Sequence, residues 1–215
     1  MLEILIAGLR ATLATCLLCG VLYPLALTGL GQVLLPFQAN GSLVRAPDGT
    51  VVGSTLIGQR WEGPEWFRGR PSATTARDPA DPNRTVAAPY NAAASGGSNL
   101  GPTNKALRDR LSGDRRALEA TQPELVGQAL PADMLTASAS GLDPDISPAN
   151  AALQAARVAQ ARGVSTERIA ALIAQQVSRR DLGVFGEPRV NVLALNLALQ
   201  QAFPVTSPGA ARRMP

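Results

Sequence analysis

The chain has 215 residues, a formal net charge of +4, 17% charged and 4% aromatic residues, and no histidine. That length allows one domain and an appendage. Few aromatics and interspersed charge signs argue against nucleic acid as a partner, and without histidine the commonest general base and metal ligand is missing.

No charged residue lies between Arg10 and Arg45, and Ala11 to Leu35 holds nine Leu and two Val. As a helix this run reaches about 37 Å, more than the hydrocarbon core of a bilayer. It predicts a single transmembrane anchor over residues 1–36. A secretory signal is the competitor, but its apolar region is shorter and ends in a small-residue cleavage site, and no A-x-A pattern follows before Gly41. Arg10 and the amino terminus favour a cytoplasmic N-terminus, against a weaker pull from Arg45 and Arg60. That places the large domain outside the inner membrane. Pro24 predicts a kink or a freed carbonyl. Gly20 and Ala26 are small enough to admit a neighbouring helix, so Gly20, Pro24 and Ala26 form the candidate partner face, with a purely lipid-facing anchor as the alternative. Cys16 and Cys19 read as small apolar fillers.

Residues 37–50 read as a linker with turn signals at Asn40-Gly41 and Pro47-Asp48-Gly49. A soluble domain follows over 51–203. Val51 to Gln59 predicts a strand. Glu62 to Ala94 is interrupted by Pro64, Pro71, Pro79, Pro82 and Pro89 and reads as irregular, pinned at its start by Trp61, Trp66 and Phe67. Thr103 to Ala120 predicts a helix capped by Thr103, with Leu107, Leu111 and Leu118 on one face. Ser147 to Arg162 predicts another, with Ser147 as N-cap, Pro148 as first helical residue and Gly163 as stop. Ser165 or Thr166 opens a helix to about Arg179 that buries Ile169, Leu172, Ile173 and Val177. Val190 to Leu199 alternates at Leu193, Leu195, Leu197 and Leu199 and reads as a buried strand, with helix as the alternative. Residues 204–215 read as a disordered tail. The fold class is therefore a single N-terminal transmembrane helix plus a soluble α+β domain, a small sheet with about three helices.

The chain carries neither a P-loop nor an Asp-Lys-Thr-Gly-Thr run. The glycine-rich stretch Ser95 to Pro102 leads into the Thr103 helix, where exposed amides can bind phosphate. A tight turn uses the same residues for backbone freedom, and without a partnering lysine the turn is the stronger reading. Thr136 to Pro148 is rich in small hydroxyls. It reads as an anion cradle, as a loop placing Asp143 and Asp145 near a cation, or as a loop tied down by its own side chains.

Several runs occur together and in order: Leu18 to Pro24, Gln38 to Ser42, Gly69 to Ala73, Ser95 to Pro102, Thr136 to Pro148, Arg157 to Ala159 and Gly186 to Val192. This set resembles the KdpC family, the C subunits of Kdp-type potassium-transporting ATPases. It departs from the usual Ser-Gly-Ser-Gly-Leu-Asp-Pro-His pattern at Ala139 and Asp145, which puts any role of that His in doubt. The resemblance implies a complex with a potassium-channel-like subunit and a P-type ATPase subunit, in which the C subunit adds one helix and a domain without catalytic or metal-binding residues of its own. It implies one of two roles. One is a structural subunit that stabilises assembly near the outer face. The other is a catalytic chaperone that raises the ATPase subunit's affinity for ATP, with no tightly bound cofactor. For the second role the candidate nucleotide contacts are Ser95, Gly96, Gly97, Ser98, Asn99, Ser138, Ser140, Gly141 and Asp143, with Arg70, Arg157 or Arg189 in place of the missing phosphate lysine.

Overall fold

The computed structural model describes residues 1–46 and 48–205. The chain forms two compact units, Met1–Leu43 and a second from Val44 onward.

The first unit is a continuous helical run, Leu2–Leu34, of 33 residues. It comprises α1 (Leu2–Leu17), a π-helical turn (Leu18–Leu22) and α2 (Tyr23–Leu34), followed by the short α3 (Pro36–Ala39). The helix lies within the expected span and begins ahead of the uncharged run that opens at Ala11, because Leu2 to Leu9 is also apolar apart from Glu3. Pro24 has no N–H and cannot continue the ordinary ladder. The helix absorbs this just upstream by widening one turn, so that the Tyr23 N–H donates to the Leu18 carbonyl. No residue of α1, the π turn or α2 is buried.

The second unit holds three small sheets. β1 (Leu43–Arg45) pairs with β2 (Val51–Ser54). The strand expected to reach Gln59 ends at Ser54, because the chain turns there and the Gln59 side chain donates back to the Val52 carbonyl at 2.8 Å. Within the proline-rich stretch, β3 (Thr75–Arg77) and β4 (Thr85–Ala87) pair antiparallel. Only three residues fit on each side, because Asp78-Pro79 and Asp81-Pro82 occupy the connection. There the Asp78 and Asp81 side chains accept from Ala80 and Asn83 N–H, building the turn locally.

α4 (Lys105–Thr121) is capped by Asn104, one residue later than the Thr103 expected, with the Asn104 side chain accepting from Ala106 N–H. It runs through Gly113, supported by the i,i+4 pairs Lys105–Asp109, Arg110–Asp114 and Arg115–Glu119. Leu107, Leu111 and Leu118 are half-buried. α5 (Ala132–Leu135) is a single turn.

β5 (Asp145–Ile146), β6 (Val177–Ser178) and β7 (Arg189–Asn191) form an antiparallel sheet in the order β5-β7-β6. α6 (Pro148–Arg162) forms as its caps predict, and α7 (Thr166–Gln176) starts after Ser165, which stands at the N-cap position without a side-chain capping bond. The Ser147 side chain accepts from Asn150 N–H, and Gly163 stops α6 at φ 66°. That left-handed residue lets Val164 N–H reach back to the Ala159 carbonyl at 3.0 Å. α7 ends three residues short of Arg179, since Val177 and Ser178 leave it to pair with Val190 and Arg189.

The expected strand Val190–Leu199 is a correction. Only Arg189–Asn191 is strand, and Val192–Ala202 is helix α8. The Asn191 side chain caps it by accepting from Ala194 N–H at 3.0 Å. Its buried residues are Val192, Leu193, Leu195, Asn196 and Leu199, which is one helical face. The leucine alternation misled because Ala194, Ala198 and the polar Asn196 fill the gaps equally well in either period.

The core gathers Trp61, Trp66 and Phe67 with Ile146, the small-residue face of α6 (Ala151, Ala155, Val158, Ala159), Ile169 and Ile173 of α7, Val190 and α8. Trp66 and Phe67 are fully buried, so the aromatic start of the irregular stretch is held as its composition predicts. Of the tail expected from residue 204, the part beyond Val205 lies outside the described residues.

Candidate functional site

Three polar side chains of α6 lie one turn apart and are all buried: Asn150, Gln154 and Arg157. Gln154 and Arg157 hold the segment Pro64 to Arg68 from one side, and Asn150 accepts from Gln154 Nε2 at 2.8 Å. Gln154 accepts from Arg68 N–H at 2.8 Å and donates to the Arg68 carbonyl at 3.0 Å. Arg157 donates to the carbonyls of Pro64 (2.6 Å) and Trp66 (3.0 Å). Burial, then the charge of Arg68, lowers the Arg157 pKa to about 10, so it stays cationic at neutral pH. From the other side Asn196 of α8 accepts from Phe67 N–H and donates to the Phe67 carbonyl, both at 2.9 Å. The two side-chain amides thus do for Arg68 and Phe67 what strand neighbours would do. An irregular segment can be buried here because its polar groups are met by side chains.

This segment delivers Arg70. The Arg70 guanidinium pairs with Asp143 at 3.0 Å and faces the Thr136 and Ala137 carbonyls at 3.5 Å. Tyr90 donates its hydroxyl to the Arg70 carbonyl at 2.6 Å, and burial pushes the phenol up to about 12. Ser72 donates to the Gly141 carbonyl at 2.7 Å and accepts from Tyr90 N–H at 2.9 Å.

The two loops singled out in the sequence come together at this point. Gly96 N–H donates to the Ser140 carbonyl at 2.8 Å, and the Ser95 hydroxyl donates to the same oxygen at 3.0 Å. The approach is close enough that a Cβ on Gly97 would sit 2.7 Å from the Ala139 carbonyl oxygen. Gly141 has φ 69°, and a Cβ there would meet Thr74 Cγ2 at 2.4 Å and the Gly96 oxygen at 2.7 Å. Ser138 is buried, its N–H given to the Pro71 carbonyl at 3.2 Å. So Ser95, Gly96 and Gly97 are knitted to Ser138, Ser140 and Gly141, while Ser98 and Asn99 are exposed and Asn99 is left-handed at φ 51°. The amides of Gly96, Ser138 and Gly141 all donate within the protein.

The acidic groups are likewise engaged. Asp133 accepts from Ser147 N–H, the Ser147 hydroxyl and Asn150 Nδ2, tying α5 to the start of α6. Asp143 takes Arg70 on one oxygen and Asp145 N–H on the other. Asp145 receives Asn191 Nδ2 at 3.3 Å and lies 3.5 Å from Arg189. A cleft of about 660 Å³ opens beside them, lined among others by Arg70, Thr136, Asp143, Asp145 and Arg189. Among the described residues no group of three or more His, Cys, Asp or Glu side chains is placed to hold a metal ion.

Asp145 has its carboxyl pKa raised, first by burial and then by the neighbouring Asp143 charge, against the pull of Asn191 and Arg189. A carboxyl held above its unfolded value favours folding at low pH, and that contribution is lost as pH rises through the folded pKa. Asp145→Asn is therefore expected to gain thermal stability relative to the parent at neutral pH. The gain should disappear as pH falls below about 4, the ordinary carboxylate range. Melting curves of both proteins between pH 3 and 8 check this, and a difference independent of pH overturns it.

Gly20, Pro24 and Ala26 are all exposed on the membrane helix, with Gly20 inside the π turn.

The family described as KdpC, K+-transporting ATPase, c chain, matches residues 5–201. The chain belongs to the KdpC family. A potassium-transporting ATPase KdpC subunit of Rhodopseudomonas palustris (strain ATCC BAA-98 / CGA009) is 59% identical over 192 residues, 89% of this chain and 94% of that protein. Proteins of the same description from Methylobacterium nodulans and Methylorubrum extorquens are 56% and 53% identical, over 92% and 93% of this chain and 94% and 97% of their own. The chain is thus a potassium-transporting ATPase subunit with one candidate membrane span. Both departures from the pattern expected of the KdpC family fit their surroundings. Ala139 is exposed, so its methyl costs no space, and Asp145 has Asn191 and Arg189 to receive it.

Asn150, Gln154 and Asn196 were missed from the sequence, and Arg157, expected in place of a phosphate lysine, instead donates to the Pro64 and Trp66 carbonyls. Asn150, Gln154 and Arg157 at spacings of four and three were the available signal: polar residues on the face of an otherwise Ala- and Val-lined helix.

Proposed function

We propose that the chain is the accessory subunit of a high-affinity, ATP-driven potassium uptake complex in the inner membrane. In this reading it stabilises the assembly of a channel-like pore subunit with a P-type ATPase subunit, and its soluble domain works at the outer face. The observation that carries the reading is a 33-residue apolar helix with no buried residue in its membrane-spanning window. Its whole circumference is available to lipid and to neighbouring helices, with Gly20, Pro24 and Ala26 as the positions where another helix is read to approach. The domain supports the same reading, because its glycine-rich, hydroxyl-rich and acidic groups satisfy one another. The orientation rests on Arg10 at one end of the uncharged run 11–44.

Alkaline phosphatase fused after residue 205 is expected to be active, and a cytoplasm-dependent fluorescent reporter at the same point to be silent. The reverse pattern overturns the outer-face assignment. It would return the domain to the compartment that holds ATP, which the chaperone role requires.

A further inference from the structure

A cavity of about 350 Å³ lies between α4 and α6. Ala117, Leu118 and Gln122 line it from the end of α4, Arg157 lines it from α6, and Arg68 and Arg70 line it from the segment that α6 clamps. No residue of α4 is buried, so this helix covers the cavity without filling it. The size is that of a site for a small molecule.

The charge of the cavity is unbalanced. Arg157 is a buried cation, and its guanidinium donates only to neutral oxygens: the Pro64 and Trp66 carbonyls and Gln154 Oε1. Among the described residues no carboxylate pairs with it or with the exposed Arg68 beside it. Glu65 and Glu124 act on Arg157 more weakly than burial and Arg68 do. Asp114 also lines the cavity, but it is taken by Arg110 at 3.3 Å. A buried charge is ordinarily paired, because desolvation without a counter-charge is costly.

The hydrogen-bonding groups are unbalanced as well. Arg70 Nε, Arg157 Nε and Gln122 Oε1 are buried, have no partner within the protein, and all belong to residues of this one lining. Gln122 as a whole is only 2% exposed. Buried polar atoms are nearly always satisfied, so two donors and one acceptor around a single cavity describe what would complete it. The arginines call for an anion. Gln122 Oε1 calls for a donor, and a hydroxyl supplies one, whereas an ammonium would bring positive charge towards two cations. Ala117 and Leu118 offer an apolar wall to a short carbon body.

We propose that this cavity binds a short hydroxycarboxylate, its carboxylate met by the arginines and its hydroxyl by Gln122. The ligand bridges α4 to α6 and fastens a helix that has no buried residue of its own. The site is independent of the assembly role proposed above.

The test uses the purified full chain in detergent and three probes of similar size: lactate, propionate and lactamide. Calorimetric titration is expected to show one saturable lactate site. Propionate should bind roughly tenfold more weakly for want of the hydroxyl, and lactamide more weakly still for want of the charge. Lactate should also slow hydrogen exchange along α4. Arg68→Gln changes an exposed residue without an ion pair, and Ala117→Leu adds bulk at an exposed position of the lining. Both variants are expected to melt with the parent and to bind lactate about tenfold more weakly or worse. Should one variant fail to fold, the other and the ranking of the three probes decide. Absence of saturable lactate binding overturns the proposal, as do equal affinities for lactate and lactamide or unchanged binding by a folded variant. Inorganic phosphate or ATP binding more tightly than lactate also overturns it, since the anion would then be a phosphate.

Discussion

Asn196→Ala is expected to destabilise the soluble domain by about 2–4 kcal/mol. Asn196 is fully buried, and its amide is the partner of both the N–H and the carbonyl of Phe67. Removing it leaves a backbone donor and a backbone acceptor in the core, each costing about 1–3 kcal/mol when stranded. Water cannot easily replace the amide, because Trp66, Phe67, Leu195 and Leu199 around it are all fully buried. For a domain of this size the loss corresponds to a fall in Tm of about 4–16 °C. The readout is thermal unfolding of the full chain in detergent, followed by tryptophan fluorescence, since Trp61 and Trp66 lie beside the clamp. Asn196→Asp should be at least as damaging, because it replaces the donor to the Phe67 carbonyl with a buried charge. A fall of less than about 1 kcal/mol for Asn196→Ala would mean that the segment finds other partners and that the clamp is dispensable.

Gly141→Ala should cost a comparable amount, about 2–4 kcal/mol, through a different mechanism. Gly141 holds a left-handed φ of 69°, and an added Cβ would strike Thr74 and the Gly96 carbonyl. Part of the cost is backbone strain and part is the forced separation of two loops that meet through Gly96 N–H and Ser140. The change should loosen the Ser95 to Gly101 loop first. Hydrogen exchange at Gly96 N–H is then expected to rise by more than exchange in α6, whose amides are held within the helix. The double variant Gly141→Ala, Gly97→Ala tests the shared mechanism. If the two loops already separate in the single variant, the second change should add less than it does alone. Full additivity would show that each glycine serves its own turn and that the contact between the loops is incidental.

Both variants probe residues that a sequence reader reaches in different ways. Gly141 stands in a motif that invites attention, and its glycine-rich and hydroxyl-rich neighbours read equally well as a phosphate cradle or as a turn. The answer required knowing that residues about forty positions apart meet, and that Gly96 spends its N–H on Ser140. Asn196 invites no attention, because a single Asn in a Leu- and Ala-rich run has no motif. Its importance appears only when the irregular segment around Phe67 is found buried and in need of partners.

Some features are fixed by local chemistry and were legible without any tertiary information. The apolar membrane helix, the Ser147-Pro148 start and Gly163 stop of α6, and the burial of Ile169, Leu172 and Ile173 follow from hydropathy, capping and period. Those signals act within one or two turns of chain. Family membership was legible for a related reason, since ordered short runs survive as sequence whatever their structural purpose. The end of α7 at Gln176, the helical state of Val192–Ala202, the joining of the two candidate loops and the clamps on Arg68 and Phe67 were decided by tertiary structure. Each depends on a partner distant in sequence: β7 for Val177, the core face for Leu195 and Leu199, Ser140 for Gly96, and Asn196 for Phe67. A hydrogen bond or packed face of that kind leaves no periodic trace in the segment it stabilises, because its energy belongs to the pair and not to either stretch of chain.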